Sequence, residues 1–281
     1  MKKYEDLTFT DDFMFCKILT NNLELCKDLL ELILDIKIKK IKPVESQKSI
    51  NVTYDGKGVR FDVYTQDENN TIYDVEMQTT TQKDLPKRTR YYQGMIDLNL
   101  IEKGAHYSDL KKTYIIFICL SVPFSDNLPV YTFRNICLQN KEIFLEDDTI
   151  KVIINAKGNR IGLSDELCDF LDYLKTGSTN SKFTKKLQGA VETAIERKKW
   201  RVEYMTLAMK MLEEREEGRA EGRAEGRSEG RAEGLTIGKT EATANSISNL
   251  MSTTNMTIDQ AMDALMIPQE EREFYRKRLN L

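Results

Sequence analysis

FDVYTQDENNTIYDVEMQTTTQKDLPKRTRYYQGMI, residues 61–96, is the stretch from which the rest of the chain can be read. It opens with a strand bearing a lone acid, Asp62, and turns at Asp67-Glu68-Asn69-Asn70. A second strand over 71–80 presents Asp74, Glu76 and Gln78. Strand side chains alternate, so these three share a face, while Val75 and Met77 point the other way, into a core. An Asp on one strand facing a Glu on its neighbour is how a fold gathers oxygen ligands for a hard divalent cation. Pro86 suits the first turn of a helix, where its missing N–H is not needed. That helix, about 86–103, carries Lys87, Arg88, Arg90, Tyr91 and Tyr92 in its first turns. A basic helix start beside an acidic strand pair fits a phosphodiester, with a cation on one side and guanidinium plus helix dipole on the other.

Working outward, residues 11–35 predict one helix: Phe13, Phe15, Ile18, Leu19, Leu25, Leu29, Leu30 and Ile33 recur at helical spacing. Thr10 or Asp11 is its candidate cap. Residues 37–43 alternate Ile with Lys, which reads as a half-exposed strand or a lead-in. Strands over 50–54, 58–64 and 71–80 make a meander, turning at Asp55-Gly56 and Asn69-Asn70. TYIIFICLS, 113–121, is continuously apolar and predicts a central strand covered on both faces. Two further strands are expected at 130–138 and 149–155, and a helix capped by Ser164 at 164–176.

Here the pieces add up to a resemblance. Phe61-Asp62, Glu76-Met77-Gln78, the run 87–92 (KRTRYY) and the run 103–110 (KGAHYSDL) follow one another before the strand at 114–120. Together with the opening helix from Asp11-Asp12, they resemble the recombination-promoting nuclease (Rpn) family of PD-(D/E)XK nuclease or transposase-like proteins. The resemblance covers roughly residues 7–160 and the character of the tail. It implies an α/β fold, a restriction-endonuclease-like mixed sheet flanked by helices, with an α-helical C-terminal extension. It also implies a metal-dependent DNA endonuclease. Asp62, Glu76 and the backbone carbonyl of Met77 would hold Mg²⁺ or Mn²⁺, with Asp12, or else Asp11, as a further acid. Gln78 stands where the superfamily has Lys and would orient the attacking water. The missing charge would come from Arg88, Arg90, Lys87 or a second metal. DNA would meet Lys87, Arg88, Arg90 and Tyr91; Tyr91 or Tyr92 would stack on it, or pack in the core.

Bulk properties narrow the classes. The 281 residues carry a net charge of only −3, so any nucleic-acid contact is made by local patches. A single histidine, His106, removes Ser-His-Asp triads and His-based zinc sites, and its loop position gives it no catalytic role. Cys16, Cys26, Cys119, Cys137 and Cys168 form no CxxC pair and read as buried thiols of a reducing, cytoplasmic compartment. The longest apolar run, 115–122, is too short to span a bilayer.

The sequence divides into a nuclease-like domain over 1–176, a long helix over 182–217, a Gly-Glu-Arg-Ala repeat over 218–238 and a small helical segment over 239–281. In the long helix, the 197–201 cluster RKKWR either binds phosphate or turns Trp200 inward from a basic face. The repeat sets like charges at i,i+4 and a glycine in every turn, so a lone helix there is unfavourable. A helix that forms transiently or on a partner is expected, and the C-terminal helices are the candidate surface for a homo-oligomer. The rival to the nuclease is a catalytically silent nucleic-acid-binding or oligomerising protein that keeps the fold.

Overall fold

A computed structural model describes residues 2–50, 58–81 and 83–279. One mixed sheet holds β1 Glu45–Ile50, β2 Val59–Gln66, β3 Ile72–Gln78, β4 Thr113–Cys119, β5 Val130–Phe133 and β6 Thr149–Asn155. Their order is β1-β2-β3-β4-β6-β5. The centre, β3-β4-β6, is parallel; β1, β2 and β5 pair antiparallel. β4 is central because its run from Ile115 to Ile118 is wholly buried and needs cover on both faces.

The helix expected over 11–35 is two helices, α1 Asp12–Asn21 and α2 Leu23–Leu34. The break is local chemistry: the Asn22 side chain accepts the Leu25 N–H and so caps α2 where α1 stops. Asp11 sits at the N-cap position of α1 but does not cap it; its carboxylate instead takes the Thr8 N–H at 2.8 Å. Phe13, Met14, Phe15, Ile18 and Leu19 bury α1 on a broad stripe. It packs against α2, β1, β2 and α5 Lys182–Glu196. The helix α3 Leu85–Leu100 covers the sheet face bearing Phe61, Tyr64, Ile115 and Phe117.

Several boundaries differ from the sequence reading. Residues 37–43 form no strand: Ile38 and Ile41 anchor the segment in the core, and only Ile41 bridges, to Asp67. β1 begins at Glu45; the expected strand at 50–54 and its Asp55-Gly56 turn lie, beyond Ile50, outside the described residues. β5 stops at Phe133, with one isolated bridge from Ile136 to Phe144. The turn after β2 is as expected, with the Asp67 carboxylate accepting the Asn69 and Thr71 N–H groups and Asn70 at φ 61°. α4 Asp165–Thr176 is capped by Ser164, which accepts from the Leu167 N–H.

The helix expected over 182–217 breaks at Arg197, and α6 Lys198–Thr254 continues through the Gly-Glu-Arg-Ala repeat. At the break, the Arg197 guanidinium lies over the Trp200 ring and Trp200 is buried, while Arg197, Lys198 and Lys199 stay exposed. The repeat is helical and exposed all round. By compactness the chain divides into residues 1–206 and 207–281. The second unit holds α7 Ile258–Ala264 and α8 Gln269–Arg278 on a core of Ala244, Ile247, Ala261, Met262, Ile267 and Tyr275.

Among the described residues, Gly158 is sterically required. A Cβ at Gly158 would lie 2.5 Å from the Pro129 Cα and 2.7 Å from the Leu128 carbonyl oxygen, both backbone atoms. Gly158→Ala is therefore expected to destabilise the protein by roughly 1–3 kcal/mol in urea unfolding. An unchanged midpoint would show that the 128–129 segment yields freely.

Candidate metal centre

β2 and β3 pair only as far as Val63↔Val75. Beyond that point side chains replace the ladder. The Asp62 N–H donates to Glu76 Oε1 at 2.9 Å, and the Met77 N–H donates to Asp62 Oδ2 at 3.3 Å. On the other side of β2 the register with β1 skips Asp62 and Gln47, and Gln47 has φ 53°. Phe61 and Tyr64, three residues apart, pack in one cluster, which strict alternation forbids. The strand is thus kinked at Asp62, and that kink frees its carboxylate from the regular pleat.

Two helices complete the site. From α1, Asp12 and Cys16 reach Asp62: one ligand atom from each of the three lies within 4.8 Å of the others. Arg60 stands 3.9 Å from Asp12. From α3, the Arg88 Nη1 donates to Gln78 Oε1 at 2.9 Å, and its Nη2 donates to Tyr92 Oη at 2.9 Å and lies 3.8 Å from Glu76. The Gln78 amide donates to the Thr80 carbonyl at 2.8 Å. Asp12, Arg60, Asp62, Glu76, Gln78, Arg88 and Tyr92 line a cavity of about 680 Å³, together with Lys87, Arg90 and Tyr91; Cys16 lies outside that lining.

The acids hold their protons unusually well. Burial, then the Asp12 charge, raises Asp62 to about 7. Burial, then the Asp62 charge, raises Glu76 to about 8. Asp74 is pushed well above the carboxylate range by burial and by Glu76 and Asp62. It has no solvent exposure, and neither carboxyl oxygen has a hydrogen-bond partner. Burial works against the charge on Arg88, but Tyr92, Glu76 and Asp84 outweigh it and hold its pKa up. Among the described residues, the cavity wall carries four acids, Asp12, Asp62, Glu76 and Asp84, and four cations, Arg60, Lys87, Arg88 and Arg90, with the Asp74 carboxyl buried beneath. Hard carboxylate oxygens gathered on one wall over a buried carboxyl fit a divalent ion.

The structure brings Asp62, Glu76, Gln78 and Arg88 into one cavity, with Asp12 at its rim. Met77 was expected in the core; it is only half-buried and lines the same cavity. Asp74, on the same strand face as Glu76, is sealed beneath it and does not line the cavity. Tyr92 is core, its ring 5.2 Å from Phe61, whereas Tyr91 is 43% exposed. Asp11 is held by Thr8 and Lys2. Cys16 was read as ordinary buried packing. Its position one helical turn after Asp12 is the signal that ties it to the site.

A mixed sheet whose second and third strands part around an Asp and a Glu, with a basic helix alongside, defines a nuclease-like fold. The chain belongs to the PD-(D/E)XK nuclease family transposases, whose family model matches residues 9–221. No curated protein and no solved structure matches it. Among the described residues, no helix is long and apolar enough to cross a membrane.

Proposed function

We propose that the chain is a metal-dependent DNA endonuclease that hydrolyses phosphodiester bonds and serves recombination, mobile elements or defence in the cytoplasm. The observation that carries this reading is the splay of β2 from β3, where the Glu76 carboxylate takes the Asp62 N–H, the Asp62 carboxylate takes the Met77 N–H, and both residues line one cavity with Arg88. Asp62, Glu76, the Met77 carbonyl and Asp12 hold the ion, Mg²⁺ or Mn²⁺. When bound, that ion supplies an acidified water and a polarised phosphate. Glu76 and Asp62 order the ligand set through their hydrogen bonds to the backbone. Arg88 brings a fixed positive charge to the side of Gln78 where the superfamily places Lys, and Gln78 holds that guanidinium in place. Lys87, Arg90 and Tyr91, at the cavity wall, grip the DNA backbone and a base.

The nuclease-like domain is assigned to 1–176. The exposed repeat over 218–238 and the helical segment over 239–281 are assigned to self-association, because the repeat's like-charge spacing favours a helix only against a partner.

One observation favours the silent alternative. Both ends of the Gln78 amide are engaged by the protein, at Thr80 and at Arg88, instead of being turned to a water. The test is cleavage of supercoiled and linear DNA across a panel of divalent ions. Nicking or linearisation that needs Mg²⁺ or Mn²⁺ and stops in EDTA is expected. DNA binding without cleavage under every ion would move the assignment to the silent protein.

A further inference from the structure

Past β5 the chain leaves the sheet and folds back on itself. The Cys137 N–H donates to the Ile143 carbonyl at 2.9 Å and the Leu145 N–H to the Asn135 carbonyl at 3.0 Å, around the bridge between Ile136 and Phe144. Asn140 closes the turn, its side chain accepting the Glu142 N–H and its carbonyl the Ile143 N–H. At the base, Asn135 donates to the Asp147 carboxylate, and the Arg134 guanidinium lies 4.3 Å from the Phe144 ring centroid. These contacts define a short hairpin over 135–145. Yet Phe133, Ile136, Leu138, Ile143, Phe144 and Leu145 are all exposed, Leu138 at 81% and Leu145 at 68%. Side chains alternate along each arm, so Ile136, Leu138 and Phe144 leave one face and Ile143 and Leu145 the other. A lone two-stranded hairpin is marginal in water, and a contiguous exposed apolar patch marks a surface that another molecule covers.

An interface between identical copies has to be self-complementary, and this surface carries both halves of each contact. β5 is the last strand of the sheet, so among the described residues its outer edge is unpaired, and such an edge can pair antiparallel with its own copy across a two-fold axis. Beside the apolar hairpin lies an apolar socket: Phe133 walls a cavity of about 120 Å³ with Leu85, Phe124 and Ile153. Both signs of charge are present, Arg134 and Lys141 among Glu142, Glu146, Asp147 and Asp148. The excess of acids argues against nucleic acid or an anionic membrane as the occupant. At roughly 100 Å² of exposed surface apiece, the six apolar side chains offer about 600 Å², most of the ~800 Å² that each partner buries in a standard stable interface.

We propose that the β5 edge and the hairpin over 135–145 form a two-fold interface with a second copy of this chain, in which the two β5 strands pair and continue the sheet. β5 stands at the opposite end of the sheet from β1 and β2, so the candidate metal centre stays open. The interface uses residues before 207 only and does not depend on what the centre does or on the C-terminal helices.

The test is analytical ultracentrifugation of the full chain beside the double variant Leu138→Asp, Leu145→Asp, which places charge at two exposed positions. At micromolar concentration the variant's mass should be at most half its parent's, whether or not the tails associate. Its dissociation constant should be at least about thirtyfold weaker, the scale of losing an interface hot spot, while its melting temperature at low concentration stays that of the parent. Hydrogen exchange of the parent chain needs no variant: amides within 130–145 should become more protected as protein concentration rises. Parent and variant of equal mass, both monomeric or both held by their tails alone, overturn the proposal and leave the surface to a different protein. Exchange over 130–145 that is independent of concentration overturns it as well.

Discussion

Asp62→Asn is expected to reduce metal-dependent cleavage by roughly a thousandfold and, in the same protein, to stabilise the metal-free fold. The two effects share a cause. Asp62 releases its proton near its ordinary 3.8 when unfolded, but only at about 7 when folded. Between those values the folded state binds more protons, so stability falls as pH rises and the loss is complete above the folded value. Asparagine carries no charge to desolvate and can still accept the Met77 N–H. Glu76 and Asp74 titrate with Asp62 as a cluster, so the benefit belongs to the group and not to one residue. At pH 8 the variant should gain roughly 1–3 kcal/mol in metal-free buffer, or several degrees in melting temperature at ~2–4 °C per kcal/mol. Near pH 4 the difference should vanish. Saturating divalent ion should stabilise the parent protein but not the variant, which closes or reverses the gap at pH 8. Melting curves at three pH values, with and without ion, decide the matter. A variant less stable than its parent at pH 8 without metal would mean that the acids are not held under charge strain.

Arg88→Met should lower single-turnover cleavage about a hundredfold while leaving ion affinity nearly intact. Three cationic residues stand in the first turns of α3, yet Arg88 is the one that reaches Glu76, Gln78 and Tyr92 together. Its ring contacts, 5.4 Å to Tyr92 and 5.2 Å to Phe117, hold the guanidinium against the core. Lysine has a point charge and no fork, so Arg88→Lys should recover only part of the rate. Lys87→Ala and Arg90→Ala should instead weaken DNA binding, with a shallower salt dependence, and leave the rate at saturating DNA close to normal. If Arg88→Met cleaves normally, the positive charge opposite the phosphate comes from elsewhere.

The elements near the site were largely legible. Period-two alternation marks β2 and β3, an unbroken apolar run marks β4, and Pro86 marks the start of α3, because these signals act over a few residues. The spacing of Asp62, Glu76 and Gln78 could be read in the same way. The break at Asn22 could not, since the apolar period runs through it and one side-chain cap ends it. The break at Arg197 was equally hidden, inside a stretch of good helix formers.

By itself, then, the chain specified β2, β3, β4 and the start of α3, and which of them carry the acids, since these follow from local period and turn chemistry. Tertiary structure alone decided which side chains meet. Cys16 and Asp62 are 46 positions apart and touch only because α1 packs on β2. Lys87 and Arg90, three residues apart, share a face of α3 while Arg88 leaves by another, and only the docking of α3 on the sheet selects Arg88. Asp74 and Glu76 share a strand face, yet one is sealed and the other lines the cavity. Each outcome depends on how one element rotates against another, a quantity set by the packing of the whole core and written in no single segment.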